Sequence, residues 1–498
     1  MNILGVSSGF HDAAVTAICD GKIVFAGHSE RYSKCKHDSE LHPGLIQDAL
    51  AHAGHFDSMA YYEKPWLKRT RQLYAGQYGE VFKSHDLRRQ LLNLAPRAGL
   101  HTLPIKYYNH HLSHAAAGFQ TSPYTEATVV VIDAIGEWDT ASIWSAYYDG
   151  SGGGARYKKL WSQRYPHSIG LMYSAFTQQA GLKPLDEEYI LMGMAGWGKY
   201  DSIADIRLRS TVLESERDIT FKHNFHLGVP KEVAYPADNV NMAYHVQELT
   251  EDLIASIIRK AQDLGKSRNL VYMGGVALNC VANRILGEYF NSIWIMPCPG
   301  DAGSSLGAAA LVYGGRLAWR DSYLGHNITG SYPVKDILSE LATSKICGVA
   351  SGRAEFGPRA LGNRSLLADP RGADIKAKVN EIKRRQQFRP FAPVILEELV
   401  HEYFDMPVGW DNSPYMQVVA RCKQPAKFPA ICHVDSTSRV QTVPRNGSGI
   451  RELLEQWYVW TGCPMLLNTS LNIRGEPMVN DRADADRFEQ LYGVRVFS

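Results

Sequence analysis

The chain opens on short apolar runs separated by polar turns: ILGVSSG, FHDAA, VTAI, CDGK and IVFAGH. Runs of this length, bounded by Gly, Asp and Ser, predict a meander of strands, with Asp20-Gly21 as a tight turn. The same grammar returns from Ala127 in ATVVVIDAIGEWDTASIWSAYYDGSG. Two such units predict a duplicated α/β domain with a nucleotide in the cleft between its halves. Apolar residues recur at helical spacing over residues 243–266. NLVYMGGVALNC then predicts a strand, a Gly-Gly turn and a helix, and SIWIMPCPGDAGSSLGAAALVYGG repeats that order. Gly314-Gly315 and the polar stretch to about Asp336 predict a connection between domains. From about Ser344 arginine-rich motifs dominate as far as Arg389, and the chain closes on LLNTSLNIRGEP. Domains are therefore expected at 1–328 and 344–498.

Composition narrows the class. A chain of 498 residues is long enough for two or more domains with large cores. A formal charge of +2 provides no global field for nucleic acid or an acidic membrane. No apolar run approaches the roughly 18 residues of a membrane span, and MNILGVSSGF has neither a basic leader nor a cleavage site. The eight cysteines form no C-x-x-C pair, so reduced thiols and a cytoplasmic location are expected.

Three groups of residues carry candidate chemistry. In HHLSHAAAGF, His110 and His114 stand four apart and share one helix face. The zinc-protease pattern has this spacing, but its general-base Glu is replaced by His111. Spacing alone leaves two readings open: a metal pair, or histidines that cap and pack a helix. Asp133 and Asp301, at strand ends, are the available further ligands, or plain turn-formers. Second, Gly274 and Gly275 lie between a predicted strand and helix, where backbone N–H groups can cradle phosphate and Asn279 can meet a ribose or base. A tight turn is the plain alternative, and Gly300, Gly303 and Gly307 add a second loop of this kind. Third, GRAEFGPRALGNRSLLADPRG carries Arg353, Arg359, Asn363, Arg364 and Arg371; KRRQQFRPFAP carries Lys383, Arg385 and Arg389; HVDSTSRVQTV carries Arg439. Asn468, Thr469, Ser470 and Asn472 follow on a strand-to-turn edge. Guanidinium forks among glycines and prolines suit phosphate or carboxylate, so these clusters predict an anion-handling pocket.

Taken in order, FHDAA with SERYSKCKHD, HHLSHAAAGF, IDAIGEW, LMGMAGWG, MGGVALN, PGDAGSSLGAA, GPRALGNRSLLADPR, FRPFAP, HVDSTSRVQTV and NTSLN-x-x-GEP resemble the O-carbamoyltransferases of nodulation and antibiotic biosynthesis (cephamycin, tobramycin). The resemblance covers nearly the whole chain. It implies an N-terminal domain of the actin/sugar-kinase/Hsp70 fold, like the tRNA threonylcarbamoyl-transfer protein. It also implies a C-terminal α+β domain similar to threonylcarbamoyl-adenylate synthase. The C-terminal site would turn carbamoyl phosphate and ATP, with Mg2+ as a candidate companion, into carbamoyl-adenylate. The N-terminal site would then pass the carbamoyl group to an acceptor hydroxyl. By the same resemblance His110, His114 and Asp301 are ligands of Fe2+ or another divalent first-row metal, with Asp133 a further or water-mediated ligand. Gly136, Gly274, Gly275 and Asn279 line the nucleotide, and His11 or Asp12 is the base. The chain departs from many relatives at Glu188–Gly198, where Ile190 replaces a lysine and Gly196 a proline.

Two rivals remain: a sugar-kinase-like phosphotransferase, which leaves the C-terminal arginines unexplained, and a non-catalytic nucleotide-gated binding protein, which does not need the histidine pair. The acceptor is either a small sugar-like or antibiotic alcohol or hydroxymethylated pyrimidine in a nucleotide or DNA. The DNA reading comes from Glu63 to Lys106, where nine Lys/Arg face three acids, with Trp66, Tyr74, Tyr78 and Phe82 interleaved. A solvated helix pair with an aromatic core face is the plain alternative. A homodimer is the expected assembly, with no membrane partner.

Overall fold

The structure is a computed structural model that describes residues 1–81, 86–150, 153–214, 218–234, 238–447 and 449–498. Phe82 and Lys83 of the basic segment lie outside the described residues. The fold is mixed α/β, in two compact units: residues 1–29 with 39–320, and residues 30–38 with 321–498.

The first unit holds two five-stranded sheets. The first comprises β1 (Asn2–Ser7), β2 (Ala14–Cys19), β3 (Lys22–His28), β4 (Ser58–Tyr61) and β5 (Ile105–Tyr107), in the order β3-β2-β1-β4-β5. The second begins with β6 (Glu126–Gly136), β7 (Asp139–Tyr148) and β8 (Ala155–Arg164). After a small hairpin, β9 (Val212–Glu214) and β10 (Ile219–Phe221), it is completed by β11 (Asn269–Met273) and β12 (Ser292–Trp294), giving the order β12-β11-β6-β7-β8. In both sheets three strands form an antiparallel meander, and two later strands add in parallel beyond the first. The repeated turn grammar of the sequence thus becomes a repeated strand order.

Each sheet is followed by one helix that matters for the site. Helix His110–Thr121 follows β5, and helix Asp301–Tyr313 follows β12. They pack against each other, and Ala115, Ala116 and Ala117 on one and Ala308, Ala309 and Ala310 on the other are fully buried. A Cβ on Gly307 would lie 1.7 Å from the Ser113 carbonyl oxygen, so only glycine permits this approach. Helix Asn239–Leu264 buries Met242, Val246, Leu249, Leu253 and Ile257, a stripe at three- and four-residue intervals. Among the described residues no helix is long and apolar enough to cross a membrane.

The second unit is built on a six-stranded sheet. In spatial order its strands are Gln441–Val443, Ala392–Leu396, Met465–Ser470, Arg364–Ala368, Ile346–Ala350 and Val496–Phe497. Val349, Leu366, Val394, Leu466 and Leu467 fill its core, under helices Val334–Thr343 and Gly449–Thr461. The loop from Gly357 to Asn363 wraps a buried carboxylate. Glu355 Oε1 accepts the backbone N–H groups of Leu361 (2.8 Å), Asn363 (2.9 Å) and Arg364 (3.2 Å). Segment Glu30–Asp38 joins this unit, with Arg31 donating to the Gly357 carbonyl at 2.8 Å.

Candidate functional site

The first turns of helix His110–Thr121 place His110 and His114 side by side, both buried. Asp133, in β6, and Asp301, the first residue of its helix, meet them. His110 Nε2 lies 3.0 Å from His114 Nε2, 3.1 Å from Asp133 Oδ2 and 3.3 Å from Asp301 Oδ1. His114 Nε2 lies 3.4 Å and 3.3 Å from the same two oxygens. All four donor atoms fall within 4.8 Å of one another. A tetrahedral ion with ligands about 2.0–2.1 Å away needs ligand separations of about 3.3–3.4 Å. Three of the five separations fall in that range and the other two, 3.0 and 3.1 Å, are slightly shorter, and two nitrogens with two carboxylates suit a divalent first-row ion. His114 Nδ1 donates to the Pro299 carbonyl at 3.0 Å, which turns Nε2 toward the other ligands.

Electrostatics point the same way. Burial alone would lower the His110 pKa, yet Asp301 and Asp133 hold it well above its usual value. Burial would raise Asp133, but its bonds to both histidines hold it well below the carboxylate range, and Asp301 is lowered too. Two buried anions here demand positive charge, from protons on imidazole or from a metal cation.

The remaining candidates of this unit surround the cluster. A Cβ on Gly136 would come within 2.3 Å of the His110 ring, so glycine lets β6 lie flat against the ligand. The Gly275 N–H donates to Asp133 Oδ1 at 3.3 Å, beside Gly274 with φ 92°. The stretch after this turn, Gly275–Leu278, is a four-residue 3-10 turn rather than the expected helix, so it offers no helix dipole to a phosphate. Asn279 is not an open ligand here: it exchanges hydrogen bonds with Gln247 (3.0 and 3.2 Å). Gln247 in turn meets Tyr173 at 2.9 Å and Glu251 at 2.9 Å, a buried polar chain without any motif to announce it. His11 Nδ1 donates to Asp12 Oδ2 at 2.8 Å, and His11 Nε2 lies 3.7 Å from Asp301 Oδ2. Burial lowers the His11 pKa, but Asp301 and then Asp12 carry it up to about 9.

In the second unit the arginine-rich motifs divide. Arg364 is fully buried and donates to the carbonyls of Ser351, Gly352, Asn363, His326 and Asn480. All its N–H groups are committed, so the expectation that it handles an anion is corrected: it ties strands together. Burial pushes its pKa down to about 10. Arg353 is likewise engaged with the carbonyls of Leu324 and Gly325, and Asn363 donates to the Arg353 carbonyl at 2.9 Å. Arg359 sits half-buried in the pinned loop. A different set converges. Buried Lys383 donates to Ser470 Oγ at 3.1 Å and Asn472 Oδ1 at 2.6 Å. Burial and then the charges of Arg385 and Arg389 hold its pKa well below the usual range. Arg385 stacks over Phe391 at 4.2 Å. Asn468 donates to Gln441 at 2.7 Å, two residues along the chain from Arg439, whose Nε is buried without a hydrogen-bond partner. Gln441 is absent from the sequence candidates, since a lone Gln on a strand gives no signal.

Two family descriptions match this chain: carbamoyltransferase N-terminus over residues 60–310 and carbamoyltransferase C-terminus over residues 338–496. The chain belongs to the carbamoyltransferase family. Carbamoyl transfer is therefore its class of chemistry. Among carbamoyltransferase relatives, nodulation protein NolNO of Sinorhizobium fredii is 30% identical over 95% of this chain and 76% of its own length. An uncharacterized Synechocystis protein is 33% identical over 98% of this chain and 94% of its own. Component A of the (R)-2-hydroxyglutaryl-CoA dehydratase of Acidaminococcus fermentans, a solved structure, is 14% identical. It covers 63% of this chain and 98% of that one at a TM-score of 0.36, too slight a likeness to argue from. Ile190 is buried in helix Glu188–Ala195.

Proposed function

We propose that the chain is an ATP-dependent O-carbamoyltransferase working through carbamoyl-adenylate. The observation that carries the reading is the buried His110–His114–Asp133–Asp301 cage, with the His11–Asp12 pair at its edge. We read the first unit as the duplicated actin/sugar-kinase/Hsp70-like transfer domain, which its repeated strand order supports. The second unit is read as the adenylate-forming domain, supported by the convergence of Lys383, Arg385 and Arg389.

In the second unit carbamoyl phosphate loses its phosphate to water. An oxygen of the resulting carbamate attacks the α-phosphorus of ATP, and pyrophosphate leaves. Lys383, Arg385 and Arg389 hold these anions, with Arg359 and Arg439 as further contacts, and Asn468, Ser470 and Asn472 orient them. In the first unit the acceptor oxygen attacks the carbamoyl carbon, and AMP departs with the electrons of the broken bond. Of the His11–Asp12 pair, His11 carries its proton at neutral pH because Asp301 and Asp12 raise its pKa to about 9, so Asp12 is the member read as taking the acceptor proton. A divalent ion such as Fe2+, held by His110, His114, Asp133 and Asp301, would supply positive charge for the leaving phosphate. Gly136 keeps the histidines seated, and Gly274, Gly275 and Asn279 border the nucleotide.

The acceptor is read first as a small sugar-like or antibiotic alcohol. Arg71 is buried against Tyr165, and Lys64 and Lys68 bond to Asn109 and Glu63. Those three therefore do not form a backbone-tracking surface for DNA. The test is incubation with ATP, carbamoyl phosphate and a panel of sugars, aminoglycosides, hydroxymethylated nucleotides and hydroxymethylated DNA. Pyrophosphate, AMP and a product heavier by one carbamoyl group are expected. ADP as the nucleotide product would sink the reading in favour of a phosphotransferase, and a product found only on DNA would reverse the choice of acceptor.

A further inference from the structure

Glu137 lies beside the metal cage but belongs to no candidate set. It follows Gly136, whose Cα rests against the His110 ring, and its own backbone is left-handed at φ 53°. A non-glycine residue held there signals surroundings that over-determine it. The side chain is buried, and both carboxylate oxygens are in use. Oε1 accepts the backbone N–H of Lys64 at 2.6 Å, and Oε2 accepts Asn109 Nδ2 at 3.2 Å. Lys64 immediately precedes helix Pro65–Tyr74, and Asn109 immediately precedes helix His110–Thr121. Neither residue caps its helix with its own side chain. Lys64 Nζ closes the triangle by donating to Asn109 Oδ1 at 3.0 Å.

We infer that Glu137 is a positioning residue that sets the entry of the histidine helix, and so the spacing of His110 and His114, while clamping helix Pro65–Tyr74 to the same point. The inference concerns the cage alone. It survives if the carbamoyl-adenylate reading fails, because its readout is metal affinity rather than turnover. Groups that orient ligands from behind characteristically change metal affinity 10–100-fold when removed.

Titration of metal-stripped protein with Co2+, followed by its visible absorption, provides the test. Glu137→Ala should weaken Co2+ binding at least tenfold and speed hydrogen exchange at the Lys64 amide. Glu137→Gln keeps an oxygen for that amide and should recover most of the affinity. Should Glu137→Ala fail to fold, Asn109→Ala carries the test: it removes the bonds of Asn109 to Glu137 and to Lys64 Nζ, leaves the carboxylate on the Lys64 amide, and should weaken Co2+ while that amide stays protected. Unchanged Co2+ affinity in Glu137→Ala or Asn109→Ala would overturn the inference, as would a wild-type protein that takes up no Co2+.

Discussion

As sequence, the metal cage and the arginine-rich loop are equally rich in chemical side chains, yet they fold to opposite ends. His110, His114, Asp133 and Asp301, in the first unit, turn their polar atoms toward one another, and their two buried carboxylates call for positive charge from imidazole protons or from a cation. In the other unit Arg364 turns all its donors onto carbonyl groups and leaves nothing over, and Arg353 also bonds to carbonyls. A buried cluster whose acids and imidazoles converge on one point is a candidate site. A buried arginine whose donors are all taken is scaffolding. The partner atoms, not the residue types, make that distinction.

The largest expected effect sharpens the scaffolding side. Arg364→Ala strands several buried carbonyls and should destabilise the second unit by about 3–5 kcal/mol in urea unfolding. Co2+ uptake by the first unit should survive. If Arg364→Ala instead folds normally and loses only pyrophosphate release, Arg364 is a ligand contact and the contrast collapses.

The cage side should behave in reverse. His114→Ala should weaken metal binding and carbamoyl transfer by on the order of 100-fold. The thermal transition should fall as well, since two buried carboxylates lose a partner, while pyrophosphate release should stay within about threefold. Undiminished metal content by elemental analysis would break the assignment.

Lys383→Met addresses the cation cluster that the arginine motifs only partly foretell. Loss of this buried amine should slow carbamoyl-phosphate-dependent pyrophosphate release about 30-fold, about 2 kcal/mol. A rate equal to wild type would move the anion site elsewhere in the unit.

The smallest effect separates a structural ion pair from the site. Arg451 grips Glu398 through two bonds, 2.6 and 2.8 Å, and pulls its carboxyl down to about 2. A carboxyl depressed on folding stabilises above its unfolded pKa of about 4.3 and loses that contribution as pH falls toward about 2. The wild-type advantage over Glu398→Gln, about 1 kcal/mol at neutral pH after solvent screening, should therefore shrink to nothing near pH 2. Acid unfolding curves of both proteins check it, and a gap that widens on acidification would contradict the pairing.

Legibility follows locality. The meanders are readable because strand runs and Asp-Gly turns are local signals, and their recurrence anticipates the repeated sheet order. The i, i+4 histidines are readable because helix periodicity alone puts them on one face. Asp133 and Asp301 stand out in the sequence only as strand-end candidates that could equally form turns, and the family resemblance is what joins them to the histidines. The 3-10 turn after Gly274-Gly275 escapes a sequence reading because VALN is apolar enough to imitate a helix start. Glu137 is silent within IGEW, since its role depends on two helix entries that precede it by tens of residues. Nothing local in SERYSKCKHD tells that this stretch leaves the first unit for the other.

The cage draws its two imidazoles from the helix that closes the first repeat and its two carboxylates from the second repeat. Neither repeat alone offers more than a weak bidentate grip. Joined in one fold, each pair meets the other at the high effective concentration of a tethered partner, and affinity rises without any new contact. Ion retention therefore reports assembly. If the proposed ion is held there, a growing chain can retain it only once Asp301 has been synthesised and the second repeat has closed on the first. Two fragments cut between Thr121 and Glu126 should regain tight binding only when mixed.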